Sequence, residues 1–262
     1  MLKVCPLGSG SKGNCIYTEF GGVGLLLDAG LSFSDIKKRL FAAGVGLRDI
    51  SGVLVTHEHS DHINGLSGFV KSGVPIFVHE RAAEFIGNKF RGLSIRKIRD
   101  EAFDFFGIRI TPFGIPHDAA YPLGFRLTDG NAVVSAATDV GHISGEVVEG
   151  LFDSDILVVE ANYDENMLRG GRYPERLKRR IVGGGGHLDN SAAAELLKRV
   201  ITPRTKKVLL AHLSEENNLP ELAFDTVAKA LKKCGIEAEK DIKIEVLKQG
   251  EKGSVYSVGK LR

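Results

Sequence analysis

The chain alternates short apolar runs with longer stretches in which apolar residues recur every three or four positions. The short runs, rich in Val, Ile and Leu, predict strands over 2–7, 14–19, 23–28, 51–56, 75–79, 109–113, 122–128, 131–138, 155–160, 206–212, 243–247 and 254–258. The longer period predicts helices over 32–43, 62–72, 80–87, 143–150, 173–181, 189–201 and 220–234, the last with Leu222, Val227 and Leu231 on one stripe. Little helix separates the first strands, whereas helices separate the later ones. That order predicts an α/β protein with a mixed sheet covered by helices rather than a strictly alternating parallel fold. Residues 162–190 break the pattern: they are basic and glycine-rich, with four glycines at 183–186, and are expected to form an irregular, mobile arm. No repeat or low-complexity linker divides the rest, so 1–262 reads as one domain.

Composition changes this picture only by exclusion. A chain of 262 residues, 43% hydrophobic and 26% charged, is long enough for a sizeable core. A net charge of +2 and a pI near 8.4 do not make a generally nucleic-acid-seeking surface, so a polyanion would have to meet a local patch. Cys5, Cys15 and Cys234 lack C-x-x-C spacing, which disfavours a disulfide framework and a thiolate zinc site and fits a reducing, cytoplasmic setting. No stretch approaches the ~18 apolar residues of a membrane span, and the N-terminal segment reaches a glycine turn after few apolar residues. No obligate protein partner is readable.

The chemistry concentrates in "VLVTHEHSDH" at 53–62. His57 and His59, two apart at the end of an extended segment, leave it on the same side and can close on one cation. Asp61 and His62 follow where the chain must turn into a helix and can face a second. With 8 histidines in the chain, H-x-H-x-D-H would arise by chance about once in 2,000 such sequences. His117 in "GIPHDA", Asp139 in "VVSAATDVGH" and His212 in "KVLLAHLSE" also follow or end apolar runs. Open α/β sheets present such strand ends at a common rim. One site would then use His57, His59 and His117, the other Asp61, His62 and His212, with the two oxygens of Asp139 between them. Any one of these residues alone could equally be a hydrogen-bonded core histidine or a capping aspartate.

These residues resemble the pattern of the metallo-β-lactamase-fold hydrolases: H-x-H-x-D-H followed in order by His, Asp and His, over essentially the whole chain. The resemblance implies a four-layer αββα sandwich with a dinuclear metal site at one edge. It also implies that Asp28, in "GLLLDAG", orients the metal-binding loop from behind; read alone, Asp28 is as well explained as a turn residue before Gly30. Within that superfamily, "LGSGSKGNC", "EANYDENML", "YPERLKRRI" and "GHLDN" are similar to the WalJ (YycJ) group. The group is associated with metal-dependent DNA exonuclease or phosphodiesterase activity, so DNA is the implied substrate. Cleavage would run through a metal-bound hydroxide, with Asp61 and His187 as catalytic residues. Five imidazoles and two carboxylates suit Zn2+, Mn2+ or Fe2+.

Substrate contacts are assigned more broadly. A helix starting near Asp189 would turn free N–H groups toward a phosphate, with His187 just before it and Asn162 and Asn190 nearby. The group more often has serine at position 189, and an aspartate there would repel a phosphate unless it caps the helix. Ser9, Ser11, Lys12 and Asn14 form either a phosphate-facing loop or a plain flexible turn. Arg172, Arg176, Lys178, Arg179 and Arg180 supply the local basic patch or a solvated helix face, and Tyr163 and Tyr173 could stack on bases. Two other functions stay open: a small-molecule hydrolase acting on a cyclic phosphodiester or a glyoxalase II-type thioester, and a metal-binding regulatory module without turnover.

Overall fold

Leu25, Leu26 and Leu27 are consecutive and all buried, because their strand is covered on both faces. Leu25 and Leu27 join one apolar cluster and Leu26 joins another. Ile156 and Val158 divide from Leu157 and Val159 in the same way. Unbroken apolar strands of this kind require two covered faces, and the computed structural model, which describes residues 1–259, supplies them with four layers.

The first sheet contains β1 (Leu2–Gly8), β2 (Cys15–Phe20), β3 (Val23–Leu27), β4 (Ile50–Leu54), β5 (Pro75–His79), β6 (Ser94–Ile98) and β14 (Tyr256–Val258). Its order is β14-β1-β2-β3-β4-β5-β6. The second contains β7 (Phe103–Phe105), β8 (Ile108–Gly114), β9 (Leu123–Thr128), β10 (Val133–Ala137), β11 (Ile156–Glu160), β12 (Lys207–Ala211) and β13 (Lys243–Val246), in the order β13-β12-β11-β10-β9-β8-β7. Leu25, Leu27, Leu54 and Phe77 of the first sheet meet Phe125, Leu127, Val134 and Val158 of the second in a shared core.

Helices close both outer faces. On the first sheet lie α1 (Phe33–Ala42), α2 (Ser60–Ile63) with the 3-10 turns that follow it, and α3 (Glu80–Lys89), through Ile36, Leu40, Ile63, Phe69 and Ile86. On the second lie α4 (Gly145–Leu151), α7 (Asn190–Val200) and α8 (Pro220–Lys232), through Val147, Leu151, Leu197, Val227 and Leu231. Strands β3 to β6 run parallel, as do β10 to β13, and β8 runs parallel to β10 through their shared antiparallel neighbour β9. The carboxyl ends of β3, β4, β8, β10, β11 and β12 therefore deliver the residues that follow them to the rim where the functional side chains gather. No helix among the described residues is long and apolar enough to cross a membrane.

Three local expectations change. The helix expected over 62–72 is one turn of α-helix followed by 3-10 turns over Asn64–Phe69. Gly65 and Gly68 let this segment approach its neighbours: an added Cβ would lie 2.4 Å from the Leu31 carbonyl oxygen and 1.9 Å from the Phe33 ring. Strands β6 and β7 were not expected; each ends its sheet, and β6 carries exposed Arg96 and Lys97 where a buried strand would be apolar. The 162–190 segment is not irregular. It holds α5 (Glu165–Gly170) and α6 (Glu175–Val182), which share a small cluster of Tyr163, Leu168 and Ile181.

Candidate metal centre

Asp28, Asp139 and His212 stand just past β3, β10 and β12, and all three adopt the left-handed region, with φ of 59°, 58° and 57°. Asp and His tolerate this conformation better than most side chains, and the abrupt turn aims them into the rim. His57, His59 and His117 have donor atoms within 4.8 Å of one another; so do Asp61, His62 and His212, and so do His57, His62 and Asp139. Asp139 reaches both sides: Oδ2 is 3.1 Å from His62 Nε2, and Oδ1 is 3.5 Å from His212 Nε2 and 3.8 Å from His117 Nε2.

Hydrogen bonds behind the site decide which ring nitrogen faces it. His62 Nδ1 donates to Asp28 Oδ2 at 2.7 Å, His117 Nδ1 to the Gly186 carbonyl at 3.0 Å and His212 Nδ1 to Glu160 Oε1 at 3.0 Å. The Thr56 hydroxyl donates to Asp28 at 2.9 Å and so must accept from His57 Nδ1, 3.0 Å away. Each ring thereby turns Nε2 toward the rim, where it can bind a cation once it carries no proton. The Nε2 atoms of His57, His117 and His212 and Oδ2 of Asp139 are buried without a hydrogen-bond partner. Orphaned lone pairs are costly unless something electropositive sits among them, and imidazole nitrogens with carboxylate oxygens are the donor set divalent cations take. The residues fit a divalent metal site.

Without a cation, burial and the neighbouring charges act on the rings in opposite directions. Burial, followed by the charge of His62, pushes the His57 imidazole well below its usual value. Burial also acts to lower His212, but the charge of Asp139, with the nearby carboxylates of Asp61 and Glu160, overrides it and raises that imidazole to about 10.

Glu160 escaped expectation. It is fully buried at the end of β11. Oε1 accepts from His187 Nδ1 at 2.8 Å as well as from His212, and Oε2 accepts from the backbone N–H groups of Val140 and Leu188 at 2.7 and 3.1 Å. The signal was present in "ILVVE": an acid ending a strand buried on both faces needs partners.

The expected substrate residues are mostly committed elsewhere. Ser9 Oγ accepts from the His212 backbone N–H at 2.8 Å, and Asn162 Nδ2 donates to the His212 carbonyl at 2.7 Å. Asn190 pairs with Asn218 in a buried amide network. Ser11 accepts from Gln249, and Lys12 pairs with Glu215 at 2.7 Å. Asn14 does reach the centre, with Nδ2 3.1 Å from His62 Nε2. Asp189 is the cap of α7: its carboxylate accepts from Ser191 and Ala192 N–H at 2.7 and 2.9 Å. The donors expected to meet a phosphate are therefore satisfied by the chain itself, and the departure from serine is explained. Tyr163 and Tyr173 pack into the cluster under α6 instead of standing free for stacking.

Two face-to-face sheets with a cation-binding rim at their strand ends are the architecture of a metal-dependent hydrolase. The chain belongs to the beta-lactamase superfamily, whose domain matches residues 24–213. It is 38% identical over 239 residues to exodeoxyribonuclease YycJ of Bacillus anthracis, covering 89% of this chain and 90% of that one. It is 36% identical over 251 residues to exodeoxyribonuclease WalJ of Streptococcus pneumoniae, with 93% of each chain covered. The fold matches the metallo-beta-lactamase fold protein YhfI of Bacillus subtilis with a TM-score of 0.72 at 19% identity, covering 98% of this chain and 100% of the other. A diphosphatase of the PhnP family matches with a TM-score of 0.68 at 18% identity, covering 97% and 98%. The protein is a metal-dependent hydrolase.

Proposed function

We propose that the protein is a dinuclear phosphodiesterase that degrades DNA from its ends. The observation that supports two cations is the placement of Asp139, which lies between the groups, with Oδ1 near both His117 and His212 and Oδ2 near His62. His57, His59 and His117 would hold one ion and Asp61, His62 and His212 the other, with Asp139 between them. Zn2+ or Mn2+ suits these donors, as does Fe2+. Such a pair, when bound, supplies an activated water and neutralises the charge that develops on an attacked phosphorus.

The remaining steps belong to the chain. Asp61, with its side chain 21% exposed, can orient the attacking water and accept a hydrogen bond from it. His187 is held through Nδ1 by Glu160, which leaves Nε2 to give a proton to the leaving oxygen. Asp28 and Thr56 keep His57 and His62 facing the ions. DNA as substrate is supported by the exodeoxyribonuclease relatives and by exposed Arg172, Arg176, Arg179 and Arg180 on and before α6.

The test is a panel of end-labelled single- and double-stranded DNA, RNA, a cyclic phosphate ester and a thioester, each with added Mn2+ or Zn2+. Loss of DNA ends, abolished by His59→Ala or Asp139→Ala, is expected. Preference for the thioester would overturn the reading.

A further inference from the structure

Beside the metal-facing imidazole of His117 lies an ion pair that the site as described does not use. Arg180, in the last turn of α6, forks onto Asp118: Nε lies 2.6 Å from Oδ2 and Nη2 lies 2.9 Å from Oδ1. Oδ1 of Asp118 is in turn 3.4 Å from His117 Nε2, one of the orphaned atoms. The guanidinium thus reaches the edge of the centre through a single carboxylate. Its pKa is raised chiefly by that hydrogen bond, and the charges of Asp139 and Asp61 also act on it.

A merely structural role for the pair is poorly supported, because the end of α6 is already fastened. The glycine strap 183–186 offers three successive carbonyls to the site loops. Gly184 accepts from His142 Nδ1 at 2.8 Å, Gly185 from the Asp118 N–H at 3.1 Å and Gly186 from His117 Nδ1 at 3.0 Å. Small residues are required where this strap passes: a Cβ on Gly141 would lie 2.3 Å from the Gly184 oxygen, and one on Gly186 would lie 2.1 Å from the Ile181 oxygen. The strap holds the end of α6, and with it the Arg180 backbone, beside the rim without help from the ion pair. The two side chains are also 50% and 40% exposed, and ion pairs so open to water are weakly held.

We propose that Arg180 forms an anion subsite for the phosphodiester under attack, and that Asp118 occupies this subsite until substrate displaces it. A carboxylate and a phosphate present the same pair of oxygens to a guanidinium fork, so the exchange needs no rearrangement of α6. Arg180 then contacts the reacting phosphate and is a catalytic residue, and Asp118 tunes its availability. The inference rests on the phosphodiesterase reading above, and its test is arranged so that either can fail alone.

Two readouts are taken on the full metal-loaded chain: turnover of bis(p-nitrophenyl) phosphate, a minimal diester, and calorimetric binding of inorganic phosphate, which needs no substrate. Arg180→Gln should weaken phosphate binding and lower kcat/KM by about tenfold or more, with metal content unchanged. Arg180→Lys should restore part of both, because a point charge replaces the fork. Asp118→Asn should tighten phosphate binding, and the double variant should behave as Arg180→Gln does. Lys229→Gln, an exposed charge loss on α8, controls for net charge. If Asp118→Asn weakens phosphate as much as Arg180→Gln, the pair is a structural latch and the subsite falls. Diester turnover with phosphate binding indifferent to Arg180→Gln also removes the subsite and leaves the phosphodiesterase reading intact. Phosphate binding that depends on Arg180, without diester turnover, overturns that reading and keeps the subsite.

Discussion

Replacing Glu160 by Gln tests whether the imidazoles are held in the tautomer that metal binding needs. The carboxylate accepts four hydrogen bonds, from His187 and His212 on Oε1 and from the Val140 and Leu188 backbone on Oε2. Gln keeps one acceptor oxygen and turns the other into a donor. With the oxygen toward the imidazoles, the amide NH2 confronts two backbone N–H groups. Each buried donor left without an acceptor costs about 1–3 kcal/mol, so roughly 2–6 kcal/mol of stability is lost. With the amide reversed, its NH2 faces both Nδ1 atoms, which must then be unprotonated. The proton moves to Nε2, and His212 ceases to be a ligand; supporting groups of this kind are worth about 10–100-fold in metal affinity. Urea denaturation and metal content by mass spectrometry separate the two outcomes. A variant with wild-type stability that also binds metal with wild-type affinity would refute the argument.

Other expectations follow from single contacts. A Cβ on Gly30 would sit 1.6 Å from the Asp61 carbonyl oxygen, so Gly30→Ala must push the ligand loop aside. It should cost about 1–3 kcal/mol and reduce metal content; an unchanged metal stoichiometry would contradict the packing. The raised pKa of His212, about 10 against an ordinary 6.5, means that the metal-free protein keeps this proton throughout the neutral range. Metal binding must expel it, so affinity should rise with pH up to about 10. His62 is likewise raised, by Asp28 and Asp139 against its burial, so calorimetry at pH ~7.5 in buffers of different ionisation enthalpy should register net proton release; a buffer-independent enthalpy would rule this out. Phe125 is fully buried between the two sheets, so Phe125→Ala should cost about 3–5 kcal/mol in urea denaturation. A loss below about 1 kcal/mol would mean that the sheets close over the gap.

Strands that are apolar on both faces were readable because short runs such as "LLL" and "ILVV" need cover on both sides and are too brief for a buried helix. The same logic pointed to the rim cluster: a polar residue after such a run emerges at the rim, and His117, Asp139 and His212 all do so. Strands without an apolar run carry no such signal: the edge strands β13 and β14 were anticipated, but β6, with Arg96 and Lys97 in its middle, went unseen. Contacts made by backbone atoms are equally silent. Nothing in "GGGG" announces that the Gly186 carbonyl holds His117 Nδ1, whereas the cap role of Asp189 was one of the alternatives that "GHLDN" left open. Residue types near a site were therefore legible, but their allegiances were not: Ser9, Asn162 and Asn190 serve the protein's own hydrogen bonds.

The left-handed backbone at Asp28, Asp139 and His212 bears on how this enzyme can decay through mutation. Each such residue holds roughly 1–2 kcal/mol of conformational strain that glycine would not feel. At Asp28 and His212 this relief is offset by the partners a glycine would strand, Thr56 and His62 behind one and Glu160 behind the other. At Asp139, whose Oδ2 has no hydrogen-bond partner, a change to glycine removes the central carboxylate and relieves the chain at the same step. Most inactivating mutations are opposed by the loss of stability they bring, but this one is opposed by it far less. Lineages freed from selection for catalysis should therefore lose the site first at the end of β10, with the sandwich around it still folded.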